Sequence, residues 1–209
     1  DIATCVEVVE ILKDQKKPAQ WQQIGYTISS LLRVVRGQLT LAEQEAEAGL
    51  AGRYGNGLVL RVLMTTQRIY PSSQKTLLAL QDEVQRWDYR AAPVRYVDNQ
   101  DQHPNSGEEI KTFLSGLLSF RLGDAEALQQ ASRTLAARAA ARPQARLPRS
   151  LAHTLEALIA WQQGDAAAAL DKLDQSAMNV TYYETLHSPF WRQDFNRYLR
   201  AEILLEQRR

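Results

Sequence analysis

Cysteine is almost absent: Cys5 stands alone in 209 residues, so no internal disulfide can form and packing must hold the fold together. That usage fits a reducing compartment. A cytoplasmic location is the expectation, with a cysteine-poor periplasmic protein as the alternative. Glycine and proline are sparse, 10 and 7, and period-two alternation of β-branched residues is nearly missing, which takes away the pattern of a β-rich fold. No apolar run approaches the roughly 18 residues of a membrane span, so no transmembrane helix is expected and the chain reads as soluble. The N-terminal stretch carries acids where a secretory leader would be basic. An excess of one charge is missing too. Lys and Arg number 25 against 24 Asp and Glu, divided 12 to 12 over residues 1–105 and 13 to 12 over 106–209. Neither nucleic acid nor an anionic membrane is indicated as a partner. The chain starts at Asp1 without a methionine, and the expectation is that a tag, a signal peptide or a longer parent chain preceded it.

What is abundant is Ala, Leu, Gln, Glu and Arg, the residues of helices. Residues 2–15 place Ile2, Val6, Val9 and Lys13 on one stripe. Pro18 opens a second helix, with Trp21, Ile24, Ile28, Leu31, Leu32 and Val35 on its apolar side and Gly37 as its stop. A third helix runs through Leu41, Ala42, Glu45, Ala46 and Leu50 to the glycines at 52, 55 and 57. The run from Leu58 to Ile69 is apolar on more than one face, as for a helix between neighbours, and Pro71-Ser72-Ser73 breaks it and caps a helix over 73–87. Residues 88–106, with Pro93 and Pro104, carry no period and form a long connection.

The second half is more regular. An apolar helix over 108–122 closes at Gly123-Asp124, and a helix marked by Leu128, Ala131 and Leu135 follows. Forty-one residues later Leu155, Ala157, Leu158, Ile159 and Trp161 lead to Gly164-Asp165, then Ala168, Ala169, Leu170 and Leu173. This is an internal repeat in which Phe113 to Phe120 lies over Thr154 to Trp161. A small residue in each copy lets a partner helix approach, and a large ring fills space beside the turn. A third copy starts at Tyr198, with Leu199, Ala201, Ile203, Leu204 and Leu205, and a weaker echo runs over 30–34 before Gly37.

Helix, Gly-Asp turn and alanine-containing helix resemble the tetratricopeptide repeat. Gly116, Phe120, Gly123, Asp124 and Ala127 in one copy, and Ala157, Trp161, Gly164, Asp165 and Ala168 in the next, occupy sites similar to that family's small, aromatic, turn and alanine positions. The turns here are 41 residues apart where the family has about 34, with Pro143 and Pro148 in the lengthened connection. The resemblance implies an all-α fold of stacked antiparallel helix pairs, a right-handed solenoid, as one domain over 1–209. Residues 1–87 form irregular N-terminal helices, 88–106 the connection and 107–209 the repeats. The stretch from Tyr182 to Glu202 also looks like the last repeats of bacterial signalling and regulatory proteins, including kinases and large transcriptional activators. The implied function is a non-catalytic module that binds a protein or peptide within such a protein, in an array that continues past Arg209.

Candidate sites each have a second reading. Tyr182, Tyr183, Phe190, Trp191, Phe195 and Tyr198, flanked by His187 and Arg192, are the densest set of binding-competent side chains. From it Tyr182, Tyr183, His187, Trp191 and Arg192 are taken as the partner or ligand site. The same rings, turned inward, would seal the end of the stack. Lining a closed pocket, they would instead make a small-molecule sensor. His103, His153 and His187 have no histidine four residues away and no cysteine pair, so no metal or cofactor is expected. Ser150, His153 and Glu156 share one helical stretch but lack an oxyanion pocket, and the chain is read as a non-enzyme. Glu43, Glu45 and Glu47 read as solvated acids. Arg133, Arg138, Arg142, Arg146 and Arg149 read as a solvated helix end, with phosphate or acidic-partner contact as the alternative. The glycine-rich residues 52–57 lack the strand and lysine of a phosphate loop and read as a turn.

Overall fold

The computed structural model describes residues 2–48, 56–91, 106–179, 190 and 193–208. Among them there is no strand, and ten α-helices follow one another: α1 (Ile2–Lys13), α2 (Ala19–Val35), α3 (Leu39–Ala48), α4 (Asn56–Thr65), α5 (Gln74–Arg86), α6 (Ser106–Leu122), α7 (Ala125–Ala141), α8 (Arg146–Gln162), α9 (Ala166–Gln175) and α10 (Asp194–Glu206). They fall into two compact units, Asp1–Arg61 and Val62–Arg209, with the division inside α4.

In the first unit α2 packs against α1 on one side and α3 on the other. The expected apolar stripe of α2 is not what is buried. Trp21 and Ile28 remain 45% and 37% exposed, whereas Gly25, Ser29 and Ser30 are buried. Small side chains decide this. A Cβ on Gly25 would lie 2.9 Å from the Leu12 Cβ, so the absence of one lets α1 come close, and the Ser30 hydroxyl donates to the Ala42 carbonyl at 2.9 Å. On α3, Ala42 and Ala46 are buried and Leu41 is 43% exposed. Lys13 serves the unit as a cation: its ammonium reaches Glu10 at 2.7 Å and Glu45 at 3.1 Å.

In the second unit neighbours in sequence are neighbours in space. The packed pairs are α5–α6, α6–α7, α7–α8, α8–α9 and α9–α10, and α6 also meets α8. Helix α6 is therefore covered from several directions, and its Ile110, Phe113, Leu114, Leu117 and Leu118 are at most 2% exposed. Gly116 is the reason α8 can reach it. A Cβ there would be 2.6 Å from Leu155 Cδ1 and 3.2 Å from the Ala131 Cβ, so three helices converge on a missing methyl.

The turns after α6 and α8 are built alike. Gly123 and Gly164 sit at φ 77° and 82°, where only glycine is unstrained. The glycine N–H donates to the Phe120 or Trp161 carbonyl, and the following aspartate N–H reaches back to Ser119 or Ala160 at 2.9 and 3.0 Å. These are the paired bonds of a Schellman stop. Each aspartate then caps the next helix, Asp124 accepting from Ala127 N–H at 3.0 Å and Asp165 from Ala168 N–H at 2.9 Å. Gly37, at φ 70°, ends α2 with the same two bonds but has Gln38 in place of the capping acid. Asp124→Ala and Asp165→Ala should each cost about 1 kcal/mol, a fall of roughly 2–4 °C in Tm. Thermal melts of the two variants check this, and unequal losses would mean the turns are not equivalent.

The spacing between the two Gly-Asp turns has a plain origin: α7 and α8, which lie between them, are 17 residues each. Pro148 lies not in the connection but in the first turn of α8, where a missing N–H costs nothing. At the other end of α6, the Lys111 ammonium donates to the Gln85 and Trp87 carbonyls, closing α5, and the Tyr89 ring covers Gly107.

Candidate functional site

The five residues expected to hold a partner or ligand, Tyr182, Tyr183, His187, Trp191 and Arg192, lie outside the described residues, as do His103 and the glycines at 52 and 55. The remaining rings of that cluster are placed. Phe190 and Phe195 turn inward and meet the Phe113 ring edge-on, with centroids 6.2 and 6.4 Å apart. Beside them is a cavity of about 20 Å³, enough for a single water, whose lining includes Leu63 and Leu151 together with Thr154, Gln193 and Asn196.

A polar network edges that cavity and ties α8, the end of α9 and the start of α10 together. The Ser150 hydroxyl donates to the Ser176 carbonyl at 2.7 Å, and the Gln193 amide donates to the same oxygen at 2.9 Å. The Asn196 amide donates to the Ser176 hydroxyl at 2.9 Å, while Thr154 lies 3.1 Å from the Asn196 oxygen. Gln193 is held at φ 57°, a left-handed conformation that costs a residue with a Cβ, and its amide bond helps fix it there. The network also separates Ser150 from His153. The serine is committed to Ser176, and the His153 Nδ1 is 3.1 Å from Glu156, which Lys172 also reaches at 2.8 Å. Burial raises the Glu156 carboxyl, and the bonds from Lys172 and His153 outweigh it, so the group ends below the usual range. This is an ion cluster between α8 and α9 and offers no activated nucleophile. No group of three or more metal-ligating side chains occurs among the described residues.

Sequence reasoning missed a second cluster. The Phe120 and Trp161 rings stack at 5.9 Å, and the Arg68 guanidinium lies over the Trp161 ring, 4.9 Å from its centroid. Arg68 also pairs with Glu206 at 2.6 Å and approaches Glu202 at 3.6 Å, while the Trp161 indole N–H donates to Glu206 at 2.9 Å. The Tyr198 hydroxyl accepts from the Ile69 N–H at 3.0 Å. The shared aromatic position of the two sequence copies is the one trace of this in the sequence. Its ionic partners are scattered over 138 residues and have no local pattern.

Burial lifts the Glu202 carboxyl above its usual range, nearby Glu206 adds to this, and Arg68 opposes it. A raised acid favours the folded state most below its unfolded pKa and loses that advantage as pH rises through the folded one. Glu202→Gln, which mimics the protonated acid, should therefore melt no lower than the parent at pH 7, with the difference vanishing below about pH 4. A lower Tm for the variant at pH 7 would show that the Arg68 pairing dominates instead.

Part of each charge run is paired within the fold, while Arg133 and Arg149 stay exposed, as expected of a solvated helix end. Arg138 binds Glu108 and Arg142 binds Glu109, joining the end of α7 to the start of α6. Arg146 donates to the Asn179 carbonyl, Arg149 to Pro143 and Arg133 to Gln130. The Arg138 bond holds Glu108 below the ordinary carboxylate range. Nor are the acids of α3 simply solvated, because Glu45 is only 16% exposed and bound to Lys13, while Glu43 and Glu47 face Arg61 at 3.8 and 3.5 Å. None of the described helices is long and apolar enough to cross a membrane. Compared with protein-family models, with curated proteins and with solved structures, the chain has no match in any of the three.

Proposed function

We propose that this chain is a non-catalytic helical-repeat module, a tetratricopeptide-repeat-like right-handed α-solenoid, that binds a protein or peptide within a larger bacterial regulatory or signalling protein of the cytoplasm. The observation that carries the reading is the run α6–α7–α8–α9. Each helix packs on the next, two identically bonded Gly-Asp turns join α6 to α7 and α8 to α9, and Gly116 admits Leu155 between α6 and α8. Stacks built this way expose an extended side whose common use is to hold a peptide or helix. The bonds of Ser150 to Ser176 and of His153 to Glu156, and the pairing of Arg138 and Arg142 with Glu108 and Glu109, support a surface rather than a reaction centre.

Selection of peptides from a displayed library on the immobilised chain tests this. The reading expects short peptides that bind with Kd of about 1–100 µM and shift amide signals along one side of α6–α9. A library that yields nothing tighter than about 1 mM contradicts it.

A further inference from the structure

The cavity of about 20 Å³ beside the Phe113 ring has a mixed lining, with the hydroxyls of Ser150 and Thr154 and the amides of Gln193 and Asn196 among rings and leucines. A count of protons around these polar groups comes out short. The Thr154 hydroxyl has one proton to give, and two acceptors compete for it, the Ser150 carbonyl at 2.9 Å and the Asn196 Oδ1 at 3.1 Å. Thr154 sits within α8, where a hydroxyl bonds back to the carbonyl four residues earlier, and Asn196 Oδ1 is then left without a donor. Turning the Asn196 amide over moves the shortage without removing it. Its oxygen would face the Ser176 hydroxyl, whose single proton already goes to the Leu173 carbonyl at 2.7 Å. Thr154 is 1% exposed, so bulk solvent does not serve its hydroxyl. Donors are in surplus on the other side of the account, because the Gln193 and Asn196 amides each spend one N–H on Ser176 and carry a second.

We propose that this cavity is a binding site for one ordered water, which donates to Asn196 Oδ1 and to the hydroxyl oxygen of Ser150 or Thr154 and accepts the second N–H of Gln193. The volume takes a single water and nothing larger. No charged residue is in the lining, so an ammonium or metal ion would have no counter-charge there, and the site selects a neutral ligand. Several convergent polar partners are what holds an internal water, and here they come from both α8 and the start of α10. The water thus adds a second link between these helices beside the direct contact of Thr154 with Asn196. This goes beyond the peptide-binding reading and does not rest on it.

Magnetic relaxation dispersion of the solvent deuteron signal, which counts long-lived internal waters, tests the site on the full chain with two variants. Thr154→Ile puts a methyl group into the cavity and takes the hydroxyl away, whereas Thr154→Ser keeps the hydroxyl and leaves more room. The parent and Thr154→Ser should each show at least one long-lived water, and Thr154→Ile, at the parent's helicity, should have one fewer. In the parent, nuclear Overhauser contacts from water to the side-chain amide protons of Gln193 and Asn196 should carry the sign of a rigidly held water. These contacts decide the matter if Thr154→Ile does not keep the parent's helicity. A parent with no long-lived water overturns the proposal. So does a folded Thr154→Ile variant with the parent's count, a Thr154→Ser variant that has lost the water, or amide protons that meet only fast-moving solvent.

Discussion

Phe113→Ala should cost the second unit about 4 kcal/mol, lowering Tm by roughly 8–16 °C. The side chain is 2% exposed and its ring is the one that Phe190 and Phe195 both meet edge-on. Removing it forfeits the burial of an aromatic, about 1.5–3 kcal/mol, and leaves a void continuous with the existing cavity of about 20 Å³. The neighbours cannot collapse into that void easily, because Thr154 and Asn196 on its rim are bonded to Ser150, Ser176 and each other. Chemical denaturation of parent and variant measures the loss. A cost under 1 kcal/mol would mean that the three rings do not form a shared core.

Gly116→Val acts by the opposite means, adding atoms where none fit. The first of them already lies 2.6 Å from Leu155 Cδ1 and 3.2 Å from the Ala131 Cβ, and Leu155 is fully buried, so relief requires the Leu155 side chain to shift within a filled core or α8 to move with it. Overpacking of this kind costs about 3 kcal/mol, or roughly 6–12 °C in Tm. Gly116→Ala is milder, since a clash with one methyl is partly offset by the roughly 1 kcal/mol that alanine gains over glycine within a helix. Leu155→Ala in the Gly116→Val background should recover part of the loss, whereas Leu155→Ala alone is destabilising. That sign reversal in a double-mutant cycle is the signature of direct contact, and simple additivity would contradict it.

The helices themselves were legible, because a 3.6-residue period and a Gly-Asp turn are local signals. The expected ranges 2–15, 73–87 and 108–122 became Ile2–Lys13, Gln74–Arg86 and Ser106–Leu122, and Ser73 caps α5 as its position suggested. Where the reading went astray, the cause was tertiary. Trp21 and Ile28 look like core residues by period, but Gly25 and Ser30 set where α1 and α3 touch α2, and the large side chains were left outside. The run from Leu58 to Ile69 ends as a helix at Thr65, where the Thr66 hydroxyl donates to the Val62 carbonyl and the chain turns toward Arg68 and Ile69. Arg138 and Arg142 looked solvated because their acids, Glu108 and Glu109, are one helix away in sequence, whereas Arg133 and Arg149 of the same run are exposed as expected. Arg68 and Trp161 become partners of Glu206 only once the second unit is folded, and no window of sequence holds all three.

The clearest trial of the stacked-pair reading is to duplicate residues 124–164 in place, which adds one α7–α8 pair and recreates a Gly164-Asp124 turn at the junction. If helix pairs in this half are interchangeable units that touch only their neighbours, the longer protein folds. Its helical ellipticity should rise in proportion to the added residues, and it should melt in one cooperative transition no lower than the parent. Loss of the cooperative transition, or added residues that contribute no helix, would contradict the account.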